Sequence, residues 1–254
     1  MKKLLLLFML SSVCLVSHAY SDVTYTFQIT DRFDNETAGQ RIEKIYVKEG
    51  KIKIAVEGES AQIIDLDRQS VLFINYPKQT YSLATSQELR EQLLQKKETV
   101  RAAFAALFQE QANSEDNSIP ADPTSESFYQ VKELGQERNH QDWKCRTMTL
   151  ESNQRKMEIC AASDITGLAE FKRALELLQM HFEDTPFLTD ALRAETLLLS
   201  QDLFPIQTTT HFGESGANSF TEEKFLSKIE TSRLDENLFN PPKDFVQNNE
   251  APSI

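Results

Sequence analysis

Ile45-Tyr46-Val47-Lys48-Glu49-Gly50-Lys51-Ile52-Lys53-Ile54-Ala55-Val56 decides the fold class. Two runs of β-branched and aromatic residues flank a Glu-Gly turn, and Ile52, Ile54 and Val56 fall on alternate positions. A period of two around a short turn is the pattern of a β-hairpin with one buried face. Upstream, Val23 to Phe33 alternates Tyr25, Phe27 and Ile29 with Thr24, Thr26, Gln28 and Thr30, and Arg41 to Lys48 is the next strand. Downstream come Lys51 to Glu57, Ala61 to Leu66, Val71 to Asn75 and Thr80 to Leu83, with turns at Asp67-Arg68 and Pro77-Lys78. These strands follow one another too closely for crossover helices, so residues 22 to 84 read as an antiparallel meander.

Thr85-Ser86-Gln87-Glu88 is a capping box, in which hydroxyl and carboxylate each satisfy a free backbone N–H. It predicts a helix to about Asn113 with Leu89, Leu93, Val100, Phe104, Leu107 and Phe108 on its apolar stripe. The acidic, Pro-containing stretch 113–127 reads as a flexible surface loop. Strands are then expected at Phe128 to Arg138, Gln141 to Leu150 and Arg155 to Ala162. A helix capped by Ser163 or Asp164 follows through Leu168, Phe171, Leu175, Leu178 and Phe182. A second starts at Thr185-Pro186 and carries Leu188, Leu192, Leu197 and Leu198. Phe204 to Phe212 and Phe220 to Arg233 close the sheet around a turn at 213–219, and the polar tail from Asn240 to Ile254 reads as loose. The expected class is α+β: a curved antiparallel sheet with helical insertions on its concave face.

The N-terminus has the three parts of a secretory signal: Lys2-Lys3, an apolar run from Leu4 to Val16, then Ser17-His18-Ala19. Cleavage is expected after Ala19, leaving a single domain over 20–246 and a loose end at 247–254. The apolar run of 13 residues is short of the roughly 20 that span a bilayer. Cys14 makes a poor lipidation site, because Val13 precedes it and no polar sequence begins there. Removing residues 1–19 deletes two lysines and no acid, so the net charge moves from −12 to −14. Such a chain lacks the basic surface that nucleic acid or anionic lipid headgroups require. An apolar content of 40% supports a packed core.

Two cysteines remain after cleavage, Cys145 and Cys160, and an oxidising compartment favours a disulfide between them. A hairpin centred between Ser152 and Asn153 places residues opposite when their numbers sum to 305, which sets Cys145 directly across from Cys160. Metal binding is the competing reading, with only His140 near enough to help. Trp143 shares a face with Cys145 and reads as core beside the disulfide.

No chemical constellation emerges, so no enzyme, cofactor or metal site is expected. His140, His181 and His211 form no metal-like pair and have no nucleophile partner. Asp65 and Asp67 flank a turn. Gly213-Glu214-Ser215-Gly216 has no following helix to bind an anion. Inner-face candidates are Ile52, Ile54, Val56, Phe73 and Tyr81, which line a cavity if the helical lid is incomplete and are ordinary core if it is not.

The order of the meander, Ile63-Ile64-Asp65-Leu66-Asp67, Pro77-Lys78-Gln79-Thr80-Tyr81, Asp142-Trp143-Lys144-Cys145 and Leu234-Asp235-Glu236-Asn237-Leu238-Phe239-Asn240-Pro241-Pro242 resembles the LolA/LppX-like superfamily of exported bacterial proteins. Within it the likeness is to a branch classed as a domain of unknown function, and it covers most of residues 22 to 246. The resemblance implies a half-open barrel with helices over its concave face and a periplasmic, non-catalytic binding role. The implied ligand is a lipid or a lipoprotein acyl chain, held at about 0.8 kcal/mol per buried methylene. The long acidic loop and the Cys145–Cys160 hairpin depart from the carriers, which leaves open an envelope protein as the partner instead.

Overall fold

The computed structural model describes residues 22–34, 36–92, 94–95, 98–99, 130–151, 155–182, 197–212 and 219–248. The export signal, the loop at 113–127, the glycine pair at 213 and 216 and most of the segment after Thr185 lie outside them. Alternation makes the first strands, β1 (Val23–Phe33), β2 (Glu36–Lys48), β3 (Lys51–Val56), β4 (Ser60–Asp65), β5 (Ser70–Asn75) and β6 (Thr80–Thr85). The second half supplies β7 (Gln130–His140), β8 (Trp143–Glu151), β9 (Arg155–Ala162), β10 (Phe204–Phe212), β11 (Phe220–Thr231) and β12 (Val246–Gln247). All twelve form one curved, unclosed sheet in the order β12-β6-β5-β4-β3-β2-β1-β11-β10-β9-β8-β7. Every pairing is antiparallel except β12 on β6. The two meanders are joined by β1 against β11, where Val23 lies opposite Thr231. Bulges at Thr26/Phe27, Asp31/Arg32 and Pro205/Gln207 fall in the central strands, and each adds local bend and twist.

Helix α1 is described at residues 86–92, 94–95 and 98–99, and its capping box is present. The Thr85 N–H donates to Glu88 Oε2 at 2.7 Å, and the Glu88 N–H donates to Thr85 Oγ1 at 3.2 Å. These bonds, backbone first, hold the Glu88 carboxyl below its ordinary range. Helix α2 (Leu168–Phe182) buries Phe171 and Leu175 in the main core with Leu89 of α1. Its entry turn requires glycine. Gly167 has φ +79°, and a Cβ there would lie 2.8 Å from Tyr25 Oη and 2.9 Å from Val23 Cγ2. Tyr25 is fully buried and donates its hydroxyl to the Thr166 carbonyl at 3.3 Å. Burial, then the charge of Glu170, pushes its phenol pKa up.

Three expectations are corrected. The β8–β9 hairpin turns one residue further along the chain than expected. Its last pair is Glu151 with Lys156, and Cys160 faces Thr147 rather than Cys145. The slip amounts to one cross-strand pair, so both cysteines keep one face. They meet diagonally with Cα atoms 5.4 Å apart, and the disulfide forms. Sheet twist brings one diagonal closer than the other. Tyr81 does not share the face of Phe73. It pairs with Ile74, whereas Phe73 pairs with Ser82, because the turn sets Asn75 opposite Thr80. The stretch from Asn240 to Asn248 is not loose. Phe239 and Phe245 pack on Ala61, Ile63, Leu72 and Ile74 of the outer face, and the Val246 and Asn248 N–H groups donate to the Gln79 and Tyr81 carbonyls. Burying Phe239 alone stabilises this strap by about 2 kcal/mol.

Candidate functional site

Cross-strand register builds the inner face in rungs, since residues opposite one another share a face. Ile54, Ile45, Tyr25 and Ile229 form one, and Val56, Glu43, Phe27 and Leu226 the next. Then come Arg41, Ile29, Lys224, Thr208 and Ile159. The last is Gly39, Asp31, Glu222, Thr210 and Met157. Along the strands the face therefore passes from wholly apolar to charged within about three rungs.

A cavity of about 140 Å³ lies where that change occurs. Phe27 and Ile45 form part of its wall with Met157 and Ile159 of β9. Phe171 of α2 and Leu198, in a helical turn at residues 197–200, close it from the helical side. Phe204 and Pro205 sit at the β10 bulge. Phe204 is stacked 4.9 Å from the Tyr25 ring and lies edge-on to Phe171 at 5.2 Å. Such pairs add about 0.5–1.5 kcal/mol each beyond area burial and stiffen the wall. Thr208, Thr210, Glu222 and Lys224 make the polar side.

The charges on that side are largely withdrawn from water. Asp31 and Glu222 are directly opposite across β1 and β11, and Arg41 bridges both carboxylates. Lys224 donates to Glu43 Oε1 at 2.6 Å, and its ammonium lies 4.5 Å from the centre of the Phe27 ring. The second oxygen of Asp31, Oδ1, is buried with no hydrogen-bond partner among the described residues.

The expected inner-face residues divide. Ile52 is buried in the main core, and Ile54 and Phe73 pack against it. Val56 is half-buried beside Glu43, Tyr81 lies on the outer face, and none of the five borders the cavity. Trp143 is half-buried against the core that holds both cysteines. Asp65 caps its turn, accepting from the Arg68 N–H at 2.9 Å. His211 Nδ1 lies 3.3 Å from Thr221 Oγ1, His181 lies on α2 with its side chain outside the described set, and His140 borders a second, polar cavity of about 130 Å³. Among the described residues no group of three or more His, Cys, Asp or Glu could hold a metal ion, and no helix is long and apolar enough to cross a membrane. Sequence reading missed the charged rungs. The signal was there: Asp31, Arg41, Glu43, Glu222 and Lys224 stand in phase with the buried positions of their strands, where a surface charge would fall out of phase.

No curated protein matches the chain. Among solved structures, it is similar to PNGF-II in a C2 crystal form at 9% identity and a TM-score of 0.38, over 89% of this chain but only 31% of that one. It is also similar to a LolA superfamily protein from Nitrosomonas europaea, at 6% identity and a TM-score of 0.33, over 87% of this chain and 91% of that one. A DUF1329 family protein from Desulfovibrio piger gives 9% identity and a TM-score of 0.30, over 87% and 90%. A family model described as a domain of unknown function, DUF4412, matches residues 33–245. The chain therefore belongs to the DUF4412 family.

Proposed function

We propose that this chain is an exported, non-catalytic binding protein of the bacterial periplasm that holds the apolar part of a lipid or acyl chain between its sheet and its helices. In this reading the sheet is a half-open barrel and α2 lies over its concave face. The observation that carries the reading is the cavity walled by Phe27, Ile45, Met157, Ile159, Phe171, Leu198 and Phe204. Its size limits what enters. At roughly 30 Å³ for a water-sized group, 140 Å³ takes four or five such groups. At about 0.8 kcal/mol per methylene that is about 4 kcal/mol, or a Kd near 1 mM. The cavity as described holds the end of a chain, and a whole acyl chain enters only if α2 moves off the sheet.

Native mass spectrometry of the protein purified from its own envelope tests this. The expected result is a bound lipid that is released on denaturation. A protein free of lipid but co-purifying with an envelope protein would favour the interaction-module reading instead.

A further inference from the structure

The same cavity carries a second piece of information, in the charges that end its apolar wall. Three carboxylates, Asp31, Glu43 and Glu222, face two cations, Arg41 and Lys224, on adjoining rungs of one sheet face. Both cations are engaged from within. Arg41 is held between Asp31 and Glu222. Lys224 sits on Glu43 and over the Phe27 ring. Their side chains are only 25% and 24% exposed, and that of Asp31 is 19% exposed. Among the described residues the band thus carries one unit of net negative charge, and one buried acceptor, Asp31 Oδ1, has no hydrogen-bond partner among them. A ligand ammonium would offset that charge, and a charge-assisted N–H···O⁻ bond is the strong form of such a contact. Glu222 lines the cavity itself, next to the Thr208 and Thr210 hydroxyls, so a group at the end of a chain lying on Phe27 and Ile159 meets this band.

We infer that the ligand of this cavity is an amphiphile whose headgroup bears a protonated amine, with Glu222 receiving the ammonium at the edge of the charged band and the apolar wall receiving the chain. The inference rests on the apolar-ligand reading above. It excludes fatty-acid carboxylates as preferred ligands: a carboxylate would add a second unpaired negative charge to a shielded site.

The test compares three six-carbon probes, hexylamine, 1-hexanol and hexanoate, whose terminal carbons enter the cavity while the polar end stays at its charged edge, at pH 7 and 0.15 M salt. Binding is followed by NMR chemical-shift titration of the full mature protein. The expected order is hexylamine, then 1-hexanol, then hexanoate, with at least a tenfold gap in Kd between the first and the last. The protein is acidic overall, so a general attraction for cations must be separated from the site. Glu222→Gln should reduce the gap to threefold or less, while Glu223→Gln leaves it intact. Glu223 carries the same charge one residue along, on the other face, where it pairs with Arg32. Asp31→Asn, which preserves shape, should narrow the gap in the same way and covers the case in which Glu222→Gln does not fold. Equal affinities for amine and carboxylate, or a gap that survives both inner-face variants, overturns the inference while leaving the apolar reading in place. Failure of 1-hexanol to bind overturns both.

Discussion

Replacing Phe171 by alanine removes the side chain through which α2 meets the sheet. Phe171 is 5% exposed. Its ring lies edge-on to Tyr25 at 5.5 Å and to Phe204 at 5.2 Å. It also walls the cavity, so the void it leaves merges with space already present and cannot close without moving Tyr25 or Phe204. A buried Phe→Ala change costs about 3–5 kcal/mol, including the lost ring contacts. At about 2–4 °C per kcal/mol for a chain of this size, the midpoint should fall by roughly 6–20 °C. Urea unfolding of the oxidised protein measures this directly, with an unchanged slope showing that the unfolded state is not at issue. The enlarged cavity should also take up toluene, and toluene at 100 times its Kd should restore about 2.7 kcal/mol. A loss below about 1 kcal/mol would refute the packing of α2 on the Tyr25–Phe204 wall.

Three other outcomes are expected. Gly167→Ala should destabilise by at least about 2 kcal/mol in urea, because it combines a left-handed φ with contact on Tyr25 and Val23; neutrality would mean that the turn is not fixed. Reducing Cys145–Cys160, or changing both to alanine, opens a link of 15 residues and should cost about 3 kcal/mol, read as the difference between oxidised and reduced urea midpoints. Lys48 and Lys51 hold the Glu236 carboxyl at about 2 against an ordinary 4.5. A depressed carboxylate stabilises the fold above its unfolded value, so this contribution is full above about pH 4.5 and is lost as pH falls towards 2. Acid titration of Glu236→Gln should show a shallower decline over that window than the parent, and parallel curves would contradict it.

The strands were legible because each is short, alternates and ends at a recognisable turn. Val23–Phe33, Arg155–Ala162 and Phe204–Phe212 fall where the pattern places them. What pairs with what over long range was not. Nothing local tells Val23 that it will lie opposite Thr231, yet that pairing sets Lys224 and Glu222 beside Ile29 and Asp31 and so makes the site. The cysteine hairpin erred by one cross-strand pair because the position of a turn's centre is not encoded in alternation. A shift that preserves parity left the cysteines on one face, and the disulfide survived the error. Tyr81 was misassigned for the opposite reason: the Pro77-Lys78 turn changes which parity of β6 faces inward. The C-terminal strap was missed because Leu234, Leu238, Phe239 and Phe245 follow neither period. They are anchored by Lys48 and Lys53 donating to the Leu234 and Leu238 carbonyls, contacts invisible along the chain.

The most direct measurement is a 1-hexanol titration of the unaltered protein followed by methyl NMR. Ile45, Met157, Ile159 and Leu198 wall the cavity, while Ile63 and Ile74 lie on the opposite face under the strap. The expected result is saturable shifts confined to the first group, with a Kd near 1 mM or tighter. Shifts spread over both faces, or rising without saturation, would contradict a ligand cavity between sheet and helices.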